Sequence, residues 1–158
     1  MIDSNLNSRC SCGSAGFNVQ GKPLLRAYCH CTICQAFNQA PYADITLFKP
    51  RDVIKPKEGM LELKSYKSPA VLQRGKCVSC GGAVIEYLQA PMPQLVIVPT
   101  KNIHDKSYVP APSLHIFYHS RVLDIQDSLP KYSGYIKSQL AFGHALFSSL
   151  ICLGNKGQ

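Results

Sequence analysis

Leu24-Leu25-Arg26-Ala27-Tyr28-Cys29-His30-Cys31-Thr32-Ile33-Cys34 joins an apolar, strand-like run to three thiols within six residues. If the run is a strand, its period of two places Cys29 and Cys31 on one face, and Thr32-Ile33 can turn the backbone so that Cys34 returns to them. Three sulfurs then converge as a metal clip. A tetrahedral zinc with three protein ligands keeps a fourth position for water or substrate, whereas structural zinc is closed by four ligands. The same thiols allow two other arrangements: a disulfide with one cysteine left over, or an inert centre closed by Cys152 or a distant histidine. His30 alternates to the face opposite Cys29 and Cys31, so it reads as a supporting or packing residue.

Outward from the clip lie two shorter signals. Cys10-Ser11-Cys12-Gly13 supplies two sulfurs from one turn, with Gly13 free to take a positive φ beside a metal. Cys77-Val78-Ser79-Cys80-Gly81-Gly82 supplies the other two, with 64 residues between Cys12 and Cys77. Together they make a four-thiolate site, read as structural zinc. Closing a loop of that length costs only a few kcal/mol of chain entropy, against roughly 10 to 16 kcal/mol from structural zinc. The metal therefore prevails, and the clip lies inside the loop it closes. A redox reading of Cys77 and Cys80 needs a helix to open at the motif, and Cys-Gly-Gly-Ala-Val-Ile-Glu-Tyr does not start one.

The chain has 158 residues, 46% of them hydrophobic, enough for one domain with a buried core. Met1-Ile2-Asp3-Ser4-Asn5 shows no basic segment followed by an apolar run, so no signal peptide is expected. A cytoplasmic location follows, and in that reducing setting eight cysteines point to metal rather than disulfides. No run of eighteen apolar residues is present, and no membrane partner is expected. The formal charge is +8, from 17 Lys+Arg and 9 Asp+Glu. Seven thiolates subtract seven charges and two zinc ions restore four, leaving +5. Its basic residues are scattered, without Arg-rich arms, an aromatic RNA motif or any Trp, so nucleic acid is not the expected partner.

Strand signals fill the rest. Ala43 to Phe48, Met60 to Tyr66, Ala83 to Leu88, Leu95 to Val98 and His115 to Ile125 read as beta segments. Prolines 91, 93, 99, 110 and 112 leave no room for a helix of three turns between them. Residues 35 to 40 read as one helical turn stopped by Pro41. His104, His115 and His119 read as packing residues, with zinc or substrate ligation the less favoured role. The tail from Ser138 to Leu153 reads as an apolar helix too short to span a bilayer, docked on the sheet or at a homodimer contact, with Cys152 a buried free thiol. The fold class is mainly β with a short C-terminal helix, divided into a zinc-binding domain over residues 1–137 and a helical tail over 138–158.

Taken together, Cys10-x-Cys12-Gly, Cys29-His-Cys31-Thr-x-Cys34, the Ala-Pro-Tyr ending at Tyr42, Arg74-Gly-x-Cys77-x-x-Cys80-Gly, His115-Ile-Phe and Asp127-Ser-Leu-Pro-x-Tyr resemble the glutathione-dependent formaldehyde-activating enzymes, a domain shared with centromere protein V. The resemblance spans about residues 8 to 135. It implies a β-rich zinc fold of small sheets related to that of a chaperone-like Rab exchange factor. It also implies two zinc ions per chain: a structural zinc at Cys10, Cys12, Cys77 and Cys80, and a functional one at Cys29, Cys31 and Cys34. The implied activity is that of a carbon-sulfur lyase, joining glutathione and formaldehyde as S-hydroxymethylglutathione. Arg26, Arg51 and Arg74 are then candidate clamps for the tripeptide's carboxylates, and His30, Tyr42 or water candidate proton donors. After Cys34 the family commonly has Arg and then a Ser-Gly pair, where this chain has Gln35 and Asn38-Gln39. The rival reading is a non-catalytic zinc module that binds protein or nucleic acid, or a glutathione carrier.

Overall fold

The computed structural model describes residues 6–89, 91 and 93–154. Ten strands run in chain order: β1 (Ser8–Arg9), β2 (Gly16–Val19), β3 (Leu25–Cys29), β4 (Ala43–Phe48), β5 (Val53–Ile54), β6 (Leu61–Ser65), β7 (Leu72–Cys77), β8 (Ala83–Leu88), β9 (Leu95–Pro99) and β10 (His115–Ile116). Two α-helices join them, α1 (Thr32–Asn38) and α2 (Tyr135–Gly154). Seven strands form one sheet in the order β10-β3-β4-β9-β8-β7-β6, and β1-β2-β5 form a small second sheet. The fold is mainly β, as the strand signals predict. Residues 1–5 lie outside the described residues, while β1 makes Ser8–Arg9 an edge segment paired to β2.

Strand β9 shows why the large sheet holds. Leu-Val-Ile-Val-Pro is buried throughout, because Leu95 and Ile97 enter one apolar cluster while Val96 and Val98 enter another on the opposite face. The first cluster contains Cys29 and Cys34, and the second contains Cys10 and Cys77. The sheet therefore separates the two cysteine groups.

Three expectations are corrected. Only His115–Ile116 of the 115–125 run is a strand, pairing in parallel with Tyr28 and Cys29. Phe117 then turns left-handed at φ 55° and a 3-10 turn follows over Tyr118–Ser120, anchored by the Phe117 N–H donating to Ser138 Oγ. Cys152 is exposed rather than buried. Finally, α2 starts before Ser138 and runs for 20 residues, long and apolar enough by length and composition to cross a membrane. The length argument drawn from residues 138–153 falls with it.

Candidate metal centre

The clip forms where β3 stops and α1 starts. Cys29 ends the strand with its side chain in the core, and Cys31 takes extended geometry as the N-cap of α1, its sulfur accepting from the Cys34 N–H at 3.3 Å. Cys34 thus returns on the first helical turn, and Thr32-Ile33 are helical rather than a separate turn. The predicted helical turn over residues 35–40 ends in the left-handed Gln39, ahead of Pro41. Sulfurs of Cys29, Cys31 and Cys34 all lie within 4.8 Å of one another. Cys31 is lowered to about 3 by hydrogen bonds from Cys29 and Cys34, while the same hydrogen bonding, with burial, raises Cys34 well above the usual thiol range. The contacts among the three sulfurs thus favour the ionised form at Cys31 over Cys34.

On the far side of the sheet, the sulfurs of Cys10, Cys12, Cys77 and Cys80 also lie within 4.8 Å of one another. Cys12 Sγ is 3.4 Å from Cys10 Sγ and 3.7 Å from Cys77 Sγ. Zinc-sulfur bonds of about 2.3 Å make a tetrahedron with edges of about 3.8 Å, so this donor set fits zinc. Gly13 and Gly81 both take the positive φ their turns require, 79° and 68°. No histidine joins either group among the described residues.

Of the three candidate arginines, only Arg74 reaches the clip. Its Nη2 lies 3.9 Å from Cys34 Sγ, and its Nε forms a 2.8 Å ion pair with Glu86, its direct cross-strand partner. Both side chains are buried, at 6% and 2% exposure. Burial pushes Glu86 up to about 7 despite the guanidinium beside it. Arg26 spends its guanidinium on a bidentate contact with Asp44 and on the Pro110 carbonyl, and Arg51 is exposed on the 3-10 turn that leads into β5. Glu86 escapes notice in the sequence because it sits inside an apolar strand. The available signal was its place opposite Arg74 in a hairpin.

Behind the clip, β10 brings His115 against His30. His115 Nε2 donates to Asp127 at 2.8 Å, and His30 Nε2 lies 2.9 Å from His115 Nδ1. Asp127 is ionised, held to about 2 by Lys131 and His115. With neutral rings this fixes the tautomers: His115 Nδ1 accepts from His30 Nε2–H, which leaves His30 Nδ1 a buried acceptor without a partner. Burial depresses His30 to about 4, so it is uncharged at neutral pH. Tyr42 and Tyr118 pack on its ring, with centroids 5.1 and 5.0 Å away. His119 lies apart, its Nδ1 accepting from the Gly134 N–H, and His104 is exposed.

Gln35, at a position where the resemblance leads to Arg, ties the clip in place. Its Nε2 donates to the His30 carbonyl at 2.6 Å and to the Ser120 carbonyl at 2.8 Å. Gln35→Ala is expected to lower stability by about 1 to 2 kcal/mol in a denaturant titration, and an unchanged midpoint would count against this bridge.

A crystal structure of a Rhodobacter sphaeroides protein shares the fold at 17% identity and a TM-score of 0.50, covering 66% of this chain and 96% of that one. No curated protein matches the chain. The family model described as glutathione-dependent formaldehyde-activating enzyme matches residues 5–120, a stretch that holds both cysteine groups, Arg74, Glu86 and His115, and the chain belongs to that family.

Proposed function

We propose that the protein joins the glutathione thiol, or a closely similar thiol, to formaldehyde or a similar electrophile, as a zinc-dependent carbon-sulfur lyase of the S-(hydroxymethyl)glutathione synthase type. The observation that carries this reading is the three-sulfur cluster of Cys29, Cys31 and Cys34, next to the buried cation of Arg74 and separated by the sheet from a four-sulfur cluster. Cys29, Cys31 and Cys34 would hold a zinc ion that supplies the lowering of the substrate thiol's pKa, and Cys10, Cys12, Cys77 and Cys80 would hold a structural one.

In the reaction, the carbon-sulfur bond forms as the carbonyl π bond breaks, the thiol loses its proton and the new alkoxide gains one. Arg74 supports this chemistry by placing positive charge beside Cys34 and by favouring the ionised form of the neighbouring Cys31. His30 is buried and neutral, and its depression to about 4 makes it a weak base, so it serves to position Tyr42 and His115 rather than to exchange protons. Tyr42, half-buried against His30, is the better donor to the alkoxide. It lines a cavity of about 330 Å³ together with Asn38, Asp44 and Lys101. Asn38 donates to the Cys34 carbonyl, which links this cavity to the clip, and Lys101 offers a countercharge for a tripeptide carboxylate.

The test is zinc content and glutathione titration of the parent and of Cys31→Ser. The parent is expected to hold two zinc ions and bind glutathione, and the variant to hold about one and bind none. A parent with two ions and no affinity for glutathione would sink the thiol reading and favour a non-catalytic zinc module.

A further inference from the structure

Helix α2 lies beyond the family match and carries two different faces. Its inward face completes the core that holds the clip: Leu146 is buried in the same cluster as Cys29, Cys34 and Ile116, with Ala141, Phe142, Ala145, Leu150 and Leu153 packed on it. The outward face is apolar as well. Ile136, Leu140, Phe147 and Ile151 are 72%, 69%, 63% and 49% exposed. At 100° per residue these four fall within about 60° of arc and form a stripe about 22 Å long. Water-facing helices normally put charge there.

We propose that this outward stripe is a lipid-contact surface that seats the protein on an anionic bilayer, the helix staying docked on its domain. Charge supports a bilayer as the occupant. The helix contains no Asp or Glu. Lys137 and His144, seven residues apart, border the stripe on one side and line an open cavity of about 470 Å³ with Ser113, Tyr132 and Leu140, suited to a headgroup phosphate. At the N-terminal end of the helix, Lys67 Nζ lies 5.1 Å from the centre of the Tyr135 ring, which places a second cation beside an interfacial aromatic. The whole chain is formally +8, or +5 with seven thiolates and two zinc ions, so an anionic surface attracts it. A second copy would instead bring positive charge against positive, with no acid in the helix to offset Lys137. A span is disfavoured although the helix is long enough, because crossing would strip Leu146 and its neighbours from the core around Cys29.

The test is co-sedimentation of the full zinc-loaded chain with vesicles of phosphatidylcholine alone and with about a third phosphatidylserine. Binding is expected to the anionic vesicles and to weaken with salt. Lys137→Gln is expected to reduce it about fivefold, and the double variant Leu140→Ser, Phe147→Ser about tenfold or more. All three substituted side chains are exposed and outside the core, so zinc content and circular dichroism should match the parent. A parent that stays in the supernatant with both vesicles would overturn the proposal, as would a double variant that binds like the parent. So would a concentration-dependent dimer, abolished by the double variant, in a protein that ignores vesicles: the stripe would then belong to a second copy.

Discussion

Cys77→Ser is expected to leave the chain unfolded or insoluble, whereas Cys152→Ser should be silent. Cys77 ends β7, is 2% exposed, and presents its sulfur 3.7 Å from that of Cys12 across the long loop between them. Its side chain joins the core cluster of Phe17, Val84, Ile85 and Val98, so the four-sulfur site is continuous with the packing on that face. Zinc at such a site contributes roughly 10 to 16 kcal/mol. Domains are stable by only about 5 to 15 kcal/mol in total, so losing even half of the metal's contribution removes most of the margin. A chelator strong enough to strip both sites should unfold the parent in the same way. Cys31→Ser is the informative contrast, since it touches only the clip on the opposite face, and it should lose one zinc and remain folded. Cys152 is exposed on α2 and belongs to neither cysteine group. A soluble Cys77→Ser variant with one cooperative unfolding transition near that of the parent would show that these four sulfurs do not hold the domain together.

Where the sequence was legible, it was so because local chemistry decided the outcome. Short cysteine pairs with a following glycine have few uses, and the two groups assemble as their spacing predicts. Ala43–Phe48 and Ala83–Leu88 are rich in β formers and free of Gly and Pro, and their predicted bounds match β4 and β8. Legibility failed where tertiary partners overrode local preference. His115 to Ile125 has β-forming residues, but after Ile116 the chain is bent by the left-handed Phe117 and tied to Ser138 of α2, a partner more than twenty residues away. The helical start at Thr32 was hidden because its N-cap is a cysteine sulfur rather than an oxygen. Arg74 and Glu86 could be placed at the clip only once the register of β7 against β8 was known. The apolar stripe on α2 reads like core in the sequence, and only the docking geometry shows which half faces outward.

That register leads to the other large effect. Arg74→Met should destabilise the protein by about 3 to 5 kcal/mol, because it leaves the Glu86 carboxylate buried without its cation. Glu86→Gln should cost much less, since Arg74 keeps the thiolates of the clip as counter-ions. The double variant Arg74→Met, Glu86→Gln should recover most of the loss, a coupling that a denaturant-based double-mutant cycle can measure. The pH dependence has a defined sign. Glu86 titrates near 7 in the folded protein against an ordinary value of 4.5, so the folded state binds the extra proton. Its contribution is therefore full below about pH 4.5 and is lost as pH rises through 7, by on the order of 3 kcal/mol. The metal-binding thiols act in the opposite direction, because they release metal as they protonate on acidification. Stability of the parent alone mixes the two. The informative quantity is the stability of Glu86→Gln minus that of the parent at each pH: it should grow from pH 5 to pH 8 as the parent must ionise a buried carboxyl that the variant lacks. A difference that stays flat over that range would mean that Glu86 is already ionised at pH 5, held so by Arg74, and that the pair acts as a fixed charge support for the clip with no proton exchange of its own.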